Sequence, residues 1–197
     1  MIEFYINGQS VDVKIEDEET VGDVLNSLEQ ICEENEAAVI GISVNGVKIT
    51  AESFDQEAKK ELTNNDKFEF TIITKNDIKQ SFIKLSELFA ELSSKMEEVP
   101  SLLQNGKKLE VSESIKKVAD SIDQFSHTAA LASLYPETFS NNTIDNMSIN
   151  DFFADFSSVL KDFEEALQNN DTVMIGDLSE YEICPRLKAI SEALRRI

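Results

Sequence analysis

The hydrophobic period of the chain changes near Lys75, and this change constrains the fold more than any other feature. Before Lys75, short runs of apolar residues alternate with polar ones, apart from one stretch with helical spacing. After Lys75, apolar residues recur every three or four positions. A chain of 197 residues is long enough for two small domains, each with a modest core. We therefore predict an α+β protein with domains at residues 1–75 and 76–197.

Two Asn-Gly pairs predict hairpin turns in the first domain. Asn7-Gly8 and Asn45-Gly46 each lie between alternating apolar residues, which is the pattern of a two-residue hairpin loop. Ile40, Ile42 and Val44 form the alternating run before the second pair. Between the hairpins, Thr20 precedes an apolar stripe with helical spacing and predicts the start of a helix. A final alternating run gives the order strand, strand, helix, strand, strand, strand.

This order resembles the ubiquitin-like β-grasp fold across residues 1–75. The resemblance implies that the first and last strands pair in parallel at the sheet centre and that the helix covers one face. The turn at Asn65-Asp66, before the last strand, is also similar to the small sulfur-carrier members of that superfamily. Carriers end in an exposed Gly-Gly tail, whereas residues 73–76 here read Ile-Thr-Lys-Asn and the chain continues. The resemblance therefore implies a binding module or scaffold without carrier chemistry.

Residues 76–197 contain four stretches with helical periodicity. Asp77 is a candidate cap for the first, Pro100 ends or bends it, and Ser148 caps the third. The polar stretch 137–146, with Asn141-Asn142 at its centre, predicts the longest loop of this half. Helices of about 20 residues with short connections predict an antiparallel four-helix bundle.

The fourth helix carries two residues that are unusual inside a helix. Pro185 lacks the amide hydrogen that would bond to Tyr181, so it predicts a kink or a break at that point. Gly176 is less favourable in a helix than alanine by about 1 kcal/mol. Its presence predicts that a neighbouring helix approaches closely there.

The last two helices have wider apolar arcs than one bundle core requires. Phe153 and Leu160 lie beside the main stripe of the third helix, and Ile175 and Ile183 lie beside that of the fourth. Such surplus apolar surface either docks the two domains together or contacts another chain. These four residues are our candidate interaction surface, for self-association into a homo-oligomer or for a partner helix.

Asp177, Glu180 and Tyr181 form the polar grouping closest in character to a catalytic site. Carboxylates in such a group perform acid-base chemistry when burial separates their pKa values. This group makes a small-ligand or hydrolytic enzyme the alternative of another class. However, no phosphate-binding loop or third catalytic group joins it, and helical acids are commonly solvated. We therefore predict that the protein is not an enzyme and has no catalytic residue.

Composition limits the ligands of the chain. A formal net charge of -20, shared by both halves, repels nucleic acids and anionic membranes. Cys32, Cys184 and His127 lie far apart in sequence, so neither a metal nor another cofactor is expected. The cysteines sit among apolar neighbours and are interpreted as buried thiols. His127 has no nucleophile and orienting acid beside it in sequence.

These observations favour a non-enzymatic protein-interaction or scaffold protein of the bacterial cytoplasm. No apolar run approaches the length that spans a bilayer, and the start of the sequence has no signal segment. The expected partner is a protein or a second copy of the chain, with no nucleic acid and no membrane. An alternative is an export-chaperone-like adaptor that binds an amphipathic partner helix, because acidic helical bundles loosely resemble bacterial flagellar export chaperones.

Overall fold

A five-stranded sheet precedes a helical region in the computed structural model, which describes residues 2–140 and 142–197. The chain divides into two compact units between Asp77 and Ile78. We call them the N-terminal unit and the helical unit. The mixed α+β class expected from the sequence is therefore present.

The described part of the N-terminal unit contains five strands and two helices. They are β1 (Glu3–Ile6), β2 (Gln9–Val11), α1 (Val21–Glu34), β3 (Ala37–Val44), β4 (Val47–Ile49), α2 (Phe54–Glu57) and β5 (Lys67–Thr74). The strands follow the order β2-β1-β5-β3-β4 across the sheet. β1 and β5 pair in parallel, and the other pairs are antiparallel. The first and last strands are thus neighbours, as the resemblance implied.

Alternation along the strands builds the core of this unit on one face of the sheet. Phe4 of β1 lies opposite Phe68 of β5, and their rings stack with centroids 5.2 Å apart. Phe70, two residues further along β5, stacks on Phe68 at 6.0 Å. Helix α1 covers this face with a buried stripe that includes Val24 and Leu25.

The asparagines of both Asn-Gly turns also hold β5 through their side chains. Each adopts a left-handed conformation, with φ of 50° at Asn7 and 53° at Asn45. The Asn7 amide bonds the backbone of Ile72 twice, donating to its carbonyl at 3.0 Å and accepting from its N–H at 2.9 Å. The Asn45 carbonyl oxygen accepts from the Lys67 N–H, and its amide nitrogen donates to the Asp66 carboxylate, both at 2.9 Å. The two hairpin turns therefore fix the central strand at two points.

The first turn of α1 is anchored to the segment that follows α2. Thr20 and Asp23 form a capping box, and the Gly22 N–H donates to the Ala58 carbonyl at 2.9 Å. A methyl group at position 22 would lie 3.0 Å from that same carbonyl oxygen. Glycine at this position therefore permits the close approach that places α2 beside α1.

The helical unit consists of helices with one small hairpin among its described residues. In chain order the elements from Lys75 onward are α3 (Lys75–Glu97), α4 (Val99–Gln104), α5 (Lys108–Ala132), α6 (Pro136–Phe139), β6 (Thr143–Ile144), β7 (Met147–Ser148), α7 (Ile149–Gln168), α8 (Thr172–Asp177), a π-helical segment (Leu178–Ile183) and α9 (Cys184–Leu194). The N-cap of α7 is Ser148, as expected from the sequence.

Two details of the chain after β5 differ from the sequence expectation. Thr74, rather than Asp77, caps α3: its hydroxyl accepts from the Asp77 N–H at 3.0 Å, and the Asp77 carboxylate accepts from the Thr74 N–H at 2.9 Å. The expected loop at 137–146 contains α6 and the β6–β7 hairpin, whose turn has Asp145 and Asn146 at φ of 51° and 63°. This turn can form without glycine, because Asp and Asn tolerate the left-handed region. The sequence therefore has no Asn-Gly signal for it. Asn141 lies outside the described residues.

Pro185 widens the last helix without interrupting it. The chain is helical from Thr172 to Leu194, and the π-helical segment lies directly before the proline. The Cys184 N–H donates to the Ser179 carbonyl, five residues back. In regular α-helical geometry the proline ring would collide with the carbonyl four residues before it. A wider turn relieves that collision, so the distortion caused by the proline takes the form of a π-helical segment and the helix does not break.

Small residues seven positions apart bring α3 and α9 close together. The Ser86 hydroxyl donates to the Ser191 carbonyl at 3.0 Å. The Ser93 hydroxyl donates to the Cys184 carbonyl at 3.1 Å. Because the earlier serine pairs with the later carbonyl, the two helices run antiparallel.

Phe125 of α5 is the aromatic centre of the helical unit. Its ring contacts Phe82 and Phe89 of α3 at centroid distances of 6.2 and 6.5 Å. On another side it stacks on Phe153 of α7 at 4.9 Å. Arg186 of α9 binds Asp155 of α7 at 2.7 Å. Helices α3, α5, α7 and α9 are thus linked in a closed ring of contacts.

Two helical glycines should respond to alanine in opposite directions. Gly22→Ala forces a methyl group against the Ala58 carbonyl, and overpacking of this kind costs about 1–3 kcal/mol. At Gly176 the same methyl lies 3.6 Å from Pro100 of α4, an ordinary contact, so Gly176→Ala should be neutral or stabilise by up to about 1 kcal/mol. Chemical denaturation followed by circular dichroism measures both. Equal destabilisation by the two substitutions would contradict the difference in available space between Gly22 and Gly176.

Candidate functional site

Half of the interaction surface expected from the sequence lies inside the helical unit. Ile175 and Ile183 are buried in the core, so a partner cannot contact them while the helices stay packed. Phe153 is half-buried against Phe125, and Leu160 is half-buried on the same helix. The wide apolar arc of the fourth helix is covered because α4 and α7 both pack against it.

The polar grouping of the last helix lies on a solvated face. Asp177 and Glu180 are exposed, and Tyr181 is 65% exposed. The nearby charge of Glu180, together with its hydrogen bond, raises the pKa of Tyr181, so the phenol stays protonated at neutral pH. Acid-base catalysis by paired carboxylates depends on burial that separates their titration. This face does not provide that burial.

The remaining candidate chemistry is dispersed. Burial raises the pKa of the Cys32 thiol and of the Cys184 thiol above the ordinary cysteine value. The thiolate is the nucleophilic form, so this shift does not activate either cysteine. His127 is exposed on α5. Within residues 2–140 and 142–197, no group of three or more His, Cys, Asp or Glu side chains is placed to hold a metal ion.

A groove in the N-terminal unit combines shape, apolar lining and charge. It lies between α1 and β3, with α2 beside it, and has a volume of about 420 Å³. That volume falls within the range of known ligand pockets. The lining residues are Leu25, Asn26, Leu28, Glu29, Cys32, Glu33, Ala37, Ala38, Val39, Ile42 and Phe54.

The groove has a buried floor and an apolar edge that solvent reaches. Leu25 and Cys32 are buried at its base. Val39 and Ile42 of β3 are half-buried along one wall. Phe54 of α2 remains 37% exposed, although it is one of the largest apolar side chains of this unit. A partner that covered the groove would remove this apolar surface from water.

Every charged side chain that lines the groove in the described structure is acidic. Glu29 and Glu33 lie one turn apart on α1 and are both exposed. Burial, and to a lesser extent the negative charge of Glu29, raises the pKa of the Cys32 thiol at the base of the groove. The groove therefore suits an apolar surface with cationic side chains beside it.

A β-bulge builds the β3 wall of this groove. Val39 lies opposite Ile72 of β5 and Ile42 lies opposite Phe70, but Ile40 between them has no partner in the ladder. Residues three apart on a regular strand face opposite sides of the sheet. The extra residue places both Val39 and Ile42 on the core face, and Ile40 is 42% exposed instead. Sequence alternation pointed to Ile40, and therefore missed this wall.

The fold and groove define a two-unit α+β protein with an acidic, apolar-lined cleft in its N-terminal unit. The chain belongs to the family described as "Domain of unknown function (DUF8042)", whose model matches residues 80–193. Residues 2–74 match the model of the "TP0873 N-terminal domain". The two matched segments adjoin the point where the structure divides, between Asp77 and Ile78.

One curated relative is similar along almost the whole chain. It is an "Uncharacterized protein" of Treponema pallidum (strain Nichols), 25% identical over 198 residues that cover 96% of this chain and 94% of the relative. No solved structure matches the chain. None of the described helices has the length and apolar character needed to cross a membrane.

Proposed function

We propose that this protein is a non-enzymatic scaffold of the cytoplasm that binds a basic, amphipathic segment of a partner protein in the α1–β3 groove. The observation that carries the proposal is the pairing of an apolar floor and edge with the carboxylates of Glu29 and Glu33. A segment with leucine-like side chains on one face and lysine or arginine beside them matches both features. Binding of an amphipathic helix in an apolar groove is a common mode of peptide recognition.

The proposal includes the finer architecture of both units. The sheet order, the parallel pairing of β1 with β5 and the single helix α1 over one face support a β-grasp domain. The ring of contacts among α3, α5, α7 and α9 supports an antiparallel four-helix bundle. On this view the N-terminal unit uses its groove for binding, without the free Gly-Gly tail that carrier chemistry requires.

The charge of the whole chain favours a basic partner over a second copy. Two chains that each carry a net charge of -20 repel one another, and the acidic rim adds to that repulsion at the groove. A cationic segment is instead attracted from a distance, and the attraction weakens as salt screens it. A second copy of the chain is therefore a less favourable occupant of the groove than a basic segment.

The test uses two synthetic helical peptides with identical leucine positions, one with lysine and one with glutamate at the flanking positions. Nuclear magnetic resonance titration of the full chain should place the lysine peptide at Leu28, Val39 and Ile42, with much weaker binding of the glutamate peptide. Phe54→Asp removes the apolar edge and should weaken binding by about tenfold or more. Reversing Glu29 and Glu33 to lysine should shift the preference toward the glutamate peptide.

The matched control is Ile31→Asp. Ile31 lies on the same helix as the groove residues and is 54% exposed, but it does not line the groove. Its substitution should leave peptide affinity within about twofold, because the rim charges are unchanged. Equal affinity for the two peptides, or equal loss in Phe54→Asp and Ile31→Asp, would reject the groove as the binding site. Concentration-dependent mass without peptide binding would favour self-association instead.

A further inference from the structure

A second cavity, in the helical unit, is distinct from the groove. It has a volume of about 340 Å³ and lies where α3, α5 and the end of α9 meet the segment that contains α6 and the β6–β7 hairpin. Phe82, Phe125 and Phe139 form its aromatic wall, with Phe82 6.2 Å from Phe125 and 5.8 Å from Phe139 between ring centroids. Ala129 and Ile144 are also among its lining residues.

The described side chains that line this cavity are apolar or neutral. None of the described side chains that line it is acidic or basic, although 28% of the chain is charged. Its polar contributions come from hydroxyl and amide groups such as Ser133 and Asn150. A surface of this composition favours an apolar, uncharged molecular body.

A smaller polar hollow of about 190 Å³ adjoins the cavity. Thr143 and Ala193 line both spaces, so the two lie side by side at these residues. The hollow also contains the side chains of Asp145, Glu192 and Arg196. Two carboxylates and one guanidinium give it a net negative charge. It offers hydrogen-bond donors and acceptors, while disfavouring a further anion.

The described residues of α6 and the β6–β7 hairpin border the cavity and are held by their own packing. Phe139 of α6 and Ile144 of β6 are both buried, so this segment is anchored to the helices below it. Asp145 and Asn146 form the hairpin turn in left-handed conformations, and both line the polar hollow. This segment therefore contributes residues to both the apolar cavity and the polar hollow.

We propose that this double cavity binds a small amphiphile with an uncharged apolar body and a neutral or cationic polar head. An engineered apolar cavity of about 150 Å³ holds benzene, so a space of this size suits a body about twice as large, such as a fused bicyclic ring or a medium acyl chain. The body occupies the aromatic cavity, and the head lies beside Asp145, Glu192 and Arg196. This site is independent of the groove in the N-terminal unit.

The test uses two fluorescent probes with the same rings. N-phenyl-1-naphthylamine is neutral, and 8-anilino-1-naphthalenesulfonate adds one sulfonate. The full chain should bind the neutral probe with a blue-shifted emission, and should bind the sulfonate at least about tenfold more weakly because the hollow disfavours an anion. Decan-1-ol should displace the neutral probe, whereas decanoate should displace it poorly.

Two neighbouring alanines of α5 give a matched pair of variants. Ala129 lines the cavity, and Ala130 is exposed beside it. Ala129→Leu fills the space and should weaken binding of the neutral probe by about tenfold or more, with the melting temperature retained. Ala130→Leu should leave binding within about twofold. Should Ala129→Leu not fold, Ala193→Leu fills the same cavity from α9 and replaces it in the test.

Three outcomes would overturn the proposal. The first is equal binding of the neutral probe by the lining and exposed alanine variants. The second is equal affinity for the neutral and sulfonated probes. The third is absence of neutral-probe binding to the folded chain at concentrations up to the probe's solubility limit.

Discussion

Phe68→Ala should destabilise the N-terminal unit by about 3–5 kcal/mol, the largest effect expected of a single substitution in this unit. Phe68 is completely buried on the central strand, stacked between Phe4 and Phe70. Removal of its ring leaves a cavity beneath α1 and deletes both stacking contacts. Small domains are typically stable by only about 5–15 kcal/mol, so much of the stability of this unit would be lost.

Hydrogen exchange followed by mass spectrometry measures this effect locally. The chain contains no tryptophan, so a conventional fluorescence readout is weak. Amides of α1 and β5 should lose protection in Phe68→Ala, whereas those of α5, in the other compact unit, should retain it. Phe68→Leu keeps most of the volume and should cost about 1.5 kcal/mol or less. The exposed Phe54 provides the control: Phe54→Ala should cost about 1 kcal/mol or less. Equal effects of the two alanine substitutions would contradict the proposed core.

Local chemistry explains the features that the sequence predicted well. Asn-Gly pairs between two alternating apolar runs favour a hairpin turn, because both residues of the turn adopt left-handed backbone at Asn7-Gly8 and Asn45-Gly46. Thr20 with Asp23 and Ser148 with Asp151 satisfy helix N-termini within a few residues, so their signals do not depend on the rest of the fold. The recurrence of apolar residues every three or four positions likewise predicts the buried faces of the long helices.

Tertiary contacts decided the features that the sequence could not predict. Ile175 and Ile183 were predicted to be surplus apolar surface because the sequence did not predict α4 as a separate helix. In the structure α4 packs against this part of the last helix, and both side chains are buried. The groove depends on a bulge at Ile40, beside Gly41, whereas the alternation of Ile40, Ile42 and Val44 predicted a regular strand. It also depends on the contact between Gly22 and Ala58, which are 36 positions apart in sequence and which place α2 and Phe54 beside α1.

Asn45→Ala should destabilise the N-terminal unit by about 2–4 kcal/mol, the second large effect. Alanine is less tolerant of the left-handed backbone at position 45 than asparagine or glycine. The substitution also removes the hydrogen bond that the Asn45 side chain accepts from the Lys67 N–H. It also removes one donor to the buried carboxylate of Asp66, leaving Thr63 as its other side-chain and backbone donor. Asn45→Gly keeps the turn conformation and removes only the amide, so it should cost less. The difference in unfolding free energy between Asn45→Ala and Asn45→Gly measures the cost of the left-handed backbone at this position.

Acid titration separates the carboxylate bond from the remaining effects of Asn45. Burial by itself raises the pKa of Asp66, but donors from Asn45 and Thr63 outweigh burial and hold that pKa below its ordinary value. A depressed folded-state pKa gives stability that is present above the unfolded pKa and is lost as pH falls through the folded value. Asn45→Gly weakens that depression. The stability gap between wild type and Asn45→Gly should therefore be widest near neutral pH and narrow below about pH 4.

Asn7→Gly is the matched control for this titration. Asn7 holds β5 at Ile72 with the same amide geometry, but its partners are backbone groups that do not titrate. Its cost should be about 0.5–1.5 kcal/mol and should not change between pH 7 and pH 3. A gap for Asn45→Gly that stays constant over the same range would assign its whole effect to the Lys67 backbone bond and to the turn. A gap that narrows only for Asn45→Gly would assign the acid-sensitive part to the Asp66 carboxylate, and with it the attachment of the second hairpin to the start of β5.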